Sequence, residues 1–206
     1  MDYEKRIQAE ISFLNDICLG RVYNRRILAD SDADILVFTH DDIWIDDYFI
    51  VDRVTDALAH FELAGIAGNR RLPKQHVGWC FLNEEFEWDQ PQFLSGKVAH
   101  GPLPFGPVSP YGITPAPCEL LDGVFMCARR SVLRKAGLKF DPAFGFNFHD
   151  LDFCRRARES GLRVGTWPIA ITHASSGGNT RYGYATDDWK NDLTKYREKW
   201  DEIVVA

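Results

Sequence analysis

Several features that would assign this chain of 206 residues to a specialised class are missing from its sequence. No apolar run approaches the ~18 residues needed to span a bilayer. The charged N-terminal residues, Met1 to Arg6, lack the apolar core of a signal peptide. We therefore expect a cytoplasmic protein, and peripheral association with the inner face of the membrane stays open.

Paired cysteines and an excess of basic charge are also lacking. The five cysteines are an odd number and form no CxxC pair, which favours buried free thiols over disulfides or zinc ligands. Acidic side chains outnumber basic ones by 30 to 24, giving a formal net charge of −6. This sign argues against nonspecific nucleic-acid binding, which needs a basic face, so nucleic acid is not expected as a partner.

The apolar pattern predicts one domain over residues 1–206, because a hydrophobic content of 45% suffices for one sizeable core. Helical spacing indicates two helices over residues 3–29, separated at Gly20, and an amphipathic helix over 187–206. The apolar run 35–38 is typical of a strand buried on both faces. Further helices are predicted at 46–63, 130–137 and 150–160, and further strands at 63–68, 123–128 and 163–172. This alternation predicts an α/β fold with a mixed, mainly parallel sheet flanked by helices.

The segment 91–117 has a different composition. It contains seven of the ten prolines and four glycines. Because proline fixes φ and removes a hydrogen-bond donor, we predict a long Pro/Gly-rich loop rather than a core element. Loops of this length inside a domain are usually functional, and a surface insertion is the alternative.

The first group of residues suited to chemistry follows the strand at 35–38. Thr39-His40-Asp41-Asp42 would place an imidazole and two carboxylates at the carboxyl edge of a sheet, where α/β proteins bind ligands. Oxygen ligands suit Mg²⁺ or Mn²⁺, which bridge carboxylates to substrate phosphates. An acidic turn that caps the next helix is the alternative interpretation.

The second group begins the helix predicted at 150–160. Asp150 would lie in its first turn, directly after His149, where the helix dipole favours a carboxylate. At a cleft, such a carboxylate could act as the general base towards a hydroxyl group. An ordinary acidic helix start, paired with Arg155 or Arg156, is the alternative.

The third group is His173, which ends a predicted strand and leads into the small, glycine-rich segment 174–179. Such a segment can close over a ligand, and the histidine could ligate a metal ion or contact a phosphate. A hydrogen-bonded surface histidine is the alternative.

The order and spacing of these groups resemble those of a family 2 glycosyltransferase with a GT-A fold. The resemblance starts at Tyr23-Asn24 and Ile27 and covers roughly three-quarters of the chain, which makes it specific as a set of motifs. The matching segments are 35–42, 121–126, 130–133, Gly137, Phe140-Asp141, 149–157, Gly161 and His173.

The resemblance implies a role for each matching residue. Asp42 would be the principal ligand of Mn²⁺ or Mg²⁺, with His173 and His40 as further ligands, His40 standing at the first position of the DxD-type motif. Asp150 would be the catalytic base that deprotonates the acceptor hydroxyl. The donor or acceptor would be bound by Asp41, Asp122, Gly123, His149, Asp152 and Arg155.

The resemblance also implies the reaction and the partners. A sugar would pass, with inversion, from a UDP-, GDP- or dTDP-sugar to a glycan or lipid-linked acceptor, as in polysaccharide biosynthesis. The family's strand–helix–strand segment, which holds the base and ribose, has no counterpart before Tyr23. We therefore expect an N-terminally truncated domain, whose exposed sheet edge would favour self-association into a homo-oligomer.

Two other functions fit the same residues. A catalytically inactive relative could serve as a binding or assembly module. A metal-dependent enzyme that hydrolyses phosphate esters would use the same Asp and His ligands but would not need Asp150 as a base. Metal-dependent nucleotide binding that is lost in Asp42→Ala would favour the transferase.

Overall fold

The computed structural model describes residues 7–12, 17–174 and 184–200. Within these ranges the chain forms five helices and eleven strands. The helices are Leu19–Leu28 (α1), Ile50–His60 (α2), Arg130–Lys135 (α3), His149–Glu159 (α4) and Asp187–Lys199 (α5). The strands are Ile35–Thr39 (β1), Ile43–Ile45 (β2), Leu63–Gly65 (β3), Ala67–Asn69 (β4), Leu94–His100 (β5), Val108–Gly112 (β6), Ala116–Pro117 (β7), Leu120–Leu121 (β8), Phe125–Arg129 (β9), Val164–Thr166 (β10) and Ile171–His173 (β11).

The strands form two sheets. The first has the order β1-β9-β3-β10-β7, and the second has the order β2-β11-β5-β4-β8 with β6 beside β5. The mixed α/β class is thereby confirmed. The prediction of a mainly parallel sheet is wrong, since of the nine strand pairings in the described residues only β3–β10 and β5–β11 are parallel. Alternation of helices and strands along a sequence does not fix strand direction, because short connections also bring successive strands together antiparallel.

Strand β1 lies at the edge of the first sheet, antiparallel to β9. The prediction that residues 35–38 are buried on both faces is wrong, because an edge strand has one neighbour and incomplete cover. Phe38 is buried within β1, whereas the Val37 side chain is 42% exposed.

The Pro/Gly-rich segment 91–117 is a β-hairpin and not a loop, which corrects the prediction. Strand β5 buries Leu94 and Val98 in the core, and β6 pairs with it antiparallel. Pro110 lies on β6 opposite Lys97, whose amide donates instead to the Ile66 carbonyl at 3.2 Å on the other side of β5. The proline therefore removes no hydrogen bond between β5 and β6.

The two ends of the described chain differ from each other in how well they were predicted. Gly20 lies inside α1 and does not separate two helices, and residues 7–12 are not helical. A Cβ at Gly20 would come within 3.0 Å of the Phe140 Cβ, so the glycine permits a close approach.

The C-terminal helix is confirmed as α5, and the Thr186 hydroxyl caps it by accepting from the Trp189 amide at 3.2 Å. Residues 3–6, 13–16 and 201–206 of the predicted helices lie outside the described residues.

A cluster of aromatic side chains joins β1 to α4. The Phe140 and Phe153 rings stack with centroids 3.9 Å apart and an angle of 5° between their planes, and Phe38 packs against both. This packing fixes the start of α4 relative to the end of β1. Among the described helices, none has the length and hydropathy that a bilayer-spanning segment needs.

Candidate functional site

Three of the predicted residues, His40, Asp42 and His173, meet at one point. The His173 Nε2 atom lies 3.1 Å from Asp42 Oδ1 and 3.4 Å from His40 Nδ1. The His40 Nδ1 atom lies 3.9 Å from Asp42 Oδ1. We call these three side chains the ligand group.

Two strand ends and a turn hold the ligand group in place. His40 follows β1, and its amide donates to the Val124 carbonyl beside β9 at 3.3 Å. The carbonyl of Asp42 accepts a hydrogen bond from the Ala174 amide at 2.8 Å, directly after His173 at the end of β11. The first contact extends the pairing of β1 with β9, and the second extends the pairing of β2 with β11, so the group joins residues from both sheets. This explains why no single motif contains it.

The ligand group fits a divalent cation. Ligand atoms about 2.1 Å from one ion are separated by roughly 3.0 Å at the right angles of an octahedron and roughly 3.4 Å in a tetrahedron. Two of the observed separations, 3.1 and 3.4 Å, are close to these values, and the third, 3.9 Å, is wider. Two imidazoles and one carboxylate suit Mn²⁺, Zn²⁺ or Fe²⁺ better than Mg²⁺, which prefers oxygen ligands.

The surroundings of His40 keep its imidazole in the form that binds metal. Burial is the main cause that lowers the pKa of His40 below 6.5, and the neighbouring His149 lowers it further. The carboxylates of Asp42, Asp150 and Asp41 oppose this effect. At neutral pH the imidazole is therefore uncharged, as a metal ligand must be.

Asp150 lies in the first turn of α4, as predicted. Its Oδ2 atom accepts from the Gly123 amide at 2.8 Å, and its Oδ1 atom accepts from its neighbour Leu151 at 2.9 Å. A Cβ on residue 123 would come within 3.1 Å of the Asp150 Cβ. Glycine at this position therefore lets the backbone approach and orient the carboxylate.

His149 is buried with one nitrogen unused. Its Nδ1 atom lies 2.5 Å from the Phe146 carbonyl and must carry the proton, since a carbonyl can only accept. The Nε2 atom is then an acceptor, and within the described structure it has no hydrogen-bond partner. A Cβ on Gly123 would lie 3.1 Å from this atom. His149 thus faces the same glycine as Asp150.

Asp122 stands beside Asp150. Burial, followed by the negative charge of Asp150, raises the pKa of Asp122 to about 6. The Val124 amide, which donates to Asp122 Oδ1 at 2.9 Å, and the Trp79 indole oppose this rise. The two carboxylates thus share one environment in which Asp122 binds a proton far more readily than an ordinary aspartate.

The ligand group and the carboxylate pair are parts of one site. The Phe146 ring packs between His40 and His149, with centroid distances of 5.5 and 6.1 Å. Tyr23 bridges them on another side: its hydroxyl donates to the Thr39 carbonyl at 3.1 Å. Burial raises the pKa of the Tyr23 phenol, and so do the nearby charges of Asp150 and Asp41. Asp41 itself is exposed at this rim.

Known proteins do not identify this site. No protein-family model matches the chain, and no curated protein sequence matches it.

The structure does not bring Asp152 and Arg155 to the site. The Asp152 Oδ1 atom is buried against α5, where it contacts Lys199 Nζ at 2.6 Å and accepts from the Trp200 indole at 3.1 Å. The Arg155 guanidinium lies 4.1 Å from the centre of the Trp200 ring. Asp152 and Arg155 therefore pack α4 against α5, in place of the predicted role in binding. Both side chains point away from Asp150 around the helix.

Three residues near the site were not among the predicted site residues. Trp79 lies next to Asp122, and the Tyr111 hydroxyl lies 3.2 Å from His100 Nε2. The His100 ring lies 6.1 Å from that of His173, because β5 pairs parallel with β11. The Pro/Gly composition concealed the strand that carries His100. Residues 175–179, predicted to close over a ligand, lie outside the described residues.

Proposed function

We propose that this chain is a metal-dependent inverting glycosyltransferase with a GT-A-like fold. The observation that carries the proposal is the contiguous placement of the ligand group and the pair Asp122 and Asp150. A cation site next to a backbone-oriented carboxylate provides what the transfer of a sugar from a nucleotide-sugar requires.

His40, Asp42 and His173 would hold the cation, Mn²⁺ or Mg²⁺. When bound, such an ion offsets the negative charge that develops on the departing nucleoside diphosphate. This local positive charge matters for a protein with a net charge of −6, which otherwise repels an anionic donor. Asp41 lies exposed at the rim of the group, where it would face the donor sugar.

Asp150 would act as the base. Its two hydrogen bonds come from backbone amides, which fix the orientation of the carboxylate. A single displacement needs one base that takes the proton of the acceptor hydroxyl as its oxygen attacks the anomeric carbon. Asp122, whose pKa is raised to about 6, would hydrogen-bond a sugar hydroxyl, and Gly123 lets the backbone approach Asp150 closely.

Calorimetric titration with UDP-, GDP- and dTDP-sugars, with and without Mn²⁺, tests the proposal. We expect one nucleotide class to bind in the presence of Mn²⁺, and Asp42→Ala to abolish this binding. Asp56→Asn is the control, since it removes an exposed carboxylate of α2 outside the site. If no nucleotide binds with any metal, the proposal is wrong.

The same samples separate the alternatives. A binding or assembly module would bind nucleotide or glycan without turnover. A phosphate-ester hydrolase would cleave the donor with water and so release a sugar phosphate in the absence of an acceptor. A transferase gives a glycoside whose anomeric configuration is inverted relative to the donor, which nuclear magnetic resonance detects directly.

A further inference from the structure

Three aromatic side chains, Trp79, Trp88 and Tyr111, form a cluster that we call the aromatic patch. The Trp88 and Tyr111 rings lie nearly parallel, with 20° between their planes and 5.9 Å between their centroids. Trp79 packs edge-on against both, at 6.2 and 5.0 Å. Trp79 is buried, whereas Trp88 is 51% exposed. The patch therefore has a buried base and an open aromatic face.

The open face is held rigidly. Phe81 pairs with Trp88 in an isolated β-bridge and packs edge-on against its ring at 5.2 Å. The amide of Asp89 donates to the Cys80 carbonyl at 2.8 Å, which fixes the backbone next to Trp88. A rigid aromatic surface loses little side-chain entropy when a ligand covers it.

The aromatic patch borders both halves of the candidate site. On one side the Tyr111 hydroxyl contacts His100, whose ring lies next to His173 of the ligand group. On the other side Trp79 lies next to Asp122, the neighbour of Asp150. A ligand stacked on Trp88 would thus extend from the aromatic patch towards the reacting groups.

We propose that the aromatic patch is a saccharide-binding subsite, in which one face of a pyranose ring stacks on Trp88. The C–H groups on one face of a pyranose form a flat apolar surface, while its hydroxyl groups at the edge need hydrogen-bond partners. Trp88 offers the matching flat surface, the Tyr111 hydroxyl belongs to the ring stacked on it, and the Asp122 carboxylate lies next to Trp79 at the buried base of the patch.

The subsite names the substrate class of the reaction. This part of the inference rests on the proposed function, because the subsite implies that the acceptor is a saccharide whose hydroxyl reaches Asp150. An aliphatic chain alone could cover Trp88 but would give no hydrogen-bond partner to the Tyr111 hydroxyl or the Asp122 carboxylate, whereas a saccharide supplies both the flat face and the hydroxyl groups. Binding of a saccharide to the patch does not itself depend on a donor or a cation.

Saturation-transfer nuclear magnetic resonance on the full chain, without nucleotide or metal, tests the subsite. The probes are methyl β-D-glucopyranoside, methyl β-D-galactopyranoside, methyl α-D-mannopyranoside and cellotetraose. We expect at least one probe to bind, with the strongest transfer to the C–H protons of one ring face. Trp88→Ala should weaken this binding by about tenfold or more, and Trp88→Phe should retain part of it.

Tyr48→Ala is the matched control, because Tyr48 is an aromatic side chain that is 91% exposed and packs on Phe49 on the connection from β2 to α2. It should leave saccharide binding unchanged. Unaltered binding in Trp88→Ala, or no binding of any probe to the unmodified chain, would overturn the subsite. Because these titrations contain neither donor nor Mn²⁺, failure of nucleotide binding would refute the transferase proposal and leave this result standing.

Discussion

The His173 Nε2 atom lies 3.1 Å from Asp42 Oδ1, because Asp42 directly precedes β2, where Ile43 pairs with His173 in the six-stranded sheet. The contact is made between side chains that 130 intervening residues separate in sequence. A cation bound there would also link this sheet to His40, which follows β1 of the five-stranded sheet, so binding should be detectable as increased thermal stability as well as by calorimetry.

The ligand group should prefer Mn²⁺ to Mg²⁺. Two of its three ligands are imidazoles, which Mg²⁺ binds poorly. His173→Ala should weaken Mn²⁺ binding by about 100-fold or more, since loss of a ligand exceeds the roughly 10- to 100-fold cost of losing a residue that only orients one. Calorimetric titration of each metal into the chain measures this. His60→Ala, which removes a histidine of α2, should have no effect. Equal affinity for the two metals would contradict the assignment of both histidines.

Asp150→Asn should reduce turnover while preserving binding. The amide oxygen of asparagine can still accept the hydrogen bond from Gly123, but it cannot take up a proton. We expect kcat to fall by about 10² to 10⁴ with nucleotide affinity unchanged. Initial-rate assays combined with calorimetry measure both quantities. Glu159→Gln, at the exposed far end of α4, is the control. Full activity of Asp150→Asn would show that another group acts as the base.

Asp122→Asn should stabilise the folded chain, and the gain should depend on pH. Folding raises the pKa of Asp122 from 3.8 to about 6, so the folded state holds the proton more tightly. The resulting stabilisation is complete below pH 3.8 and is lost as the pH rises through 6. The stability of Asp122→Asn has no such dependence on pH, because asparagine does not ionise.

Urea unfolding at pH 4, 5.5 and 7.5 checks this prediction. The free energy of unfolding of Asp122→Asn should exceed that of the unmodified chain by a margin that grows with pH. The rise in the pKa of Asp122 limits this margin to about 3 kcal/mol, and partial contact of the residue with solvent reduces it. A margin that stays constant across these pH values would show that Asp122 ionises normally.

Asp152→Ala should destabilise the chain without affecting ligand binding. Its buried carboxylate contacts Lys199 and Trp200 at the contact between α4 and α5. Loss of this carboxylate should lower the free energy of unfolding by about 1 to 3 kcal/mol, because burial, which raises the pKa of Asp152, offsets part of its contact with Lys199. Asp141→Asn is a matched control, because Asp141 contacts the same Lys199 from a more exposed position, and it should cost about 1 kcal/mol or less. A loss of nucleotide affinity in Asp152→Ala would restore a binding role.

Local sequence patterns predicted the ends of the elements that carry the site. The apolar run 35–38 is short and is followed by charged residues, so the position of His40 after a strand could be predicted. Asp150 falls in the first turn of α4 because acidic residues favour that position, which is a local effect. His173 likewise follows from the apolar residues of β11.

Tertiary contacts account for what the sequence did not reveal. Which side of α4 faces the site depends on how α5 packs, and this packing directs Asp152 and Arg155 away from Asp150. The β5–β6 hairpin was missed because its prolines lie outside β5, in the turn and on β6, so composition averaged over the segment concealed a regular strand. Strand direction and the proximity of His100 to His173 depend on pairing between distant segments, which no local pattern encodes.

Two of the outer strands, β1 and β6, differ in how they would meet a second chain. Pro110 lies on β6 opposite Lys97, whose amide donates away from β6. A residue with an N–H at position 110 would therefore point that N–H outwards, away from β5. Proline removes one donor from that edge of the second sheet and so discourages strand addition. In the described residues, the outer edge of β1 is unpaired, and its five residues, Ile35–Thr39, contain no proline or lysine. If copies of this chain associate through their sheets, β1 offers a row of backbone donors that Pro110 interrupts on β6.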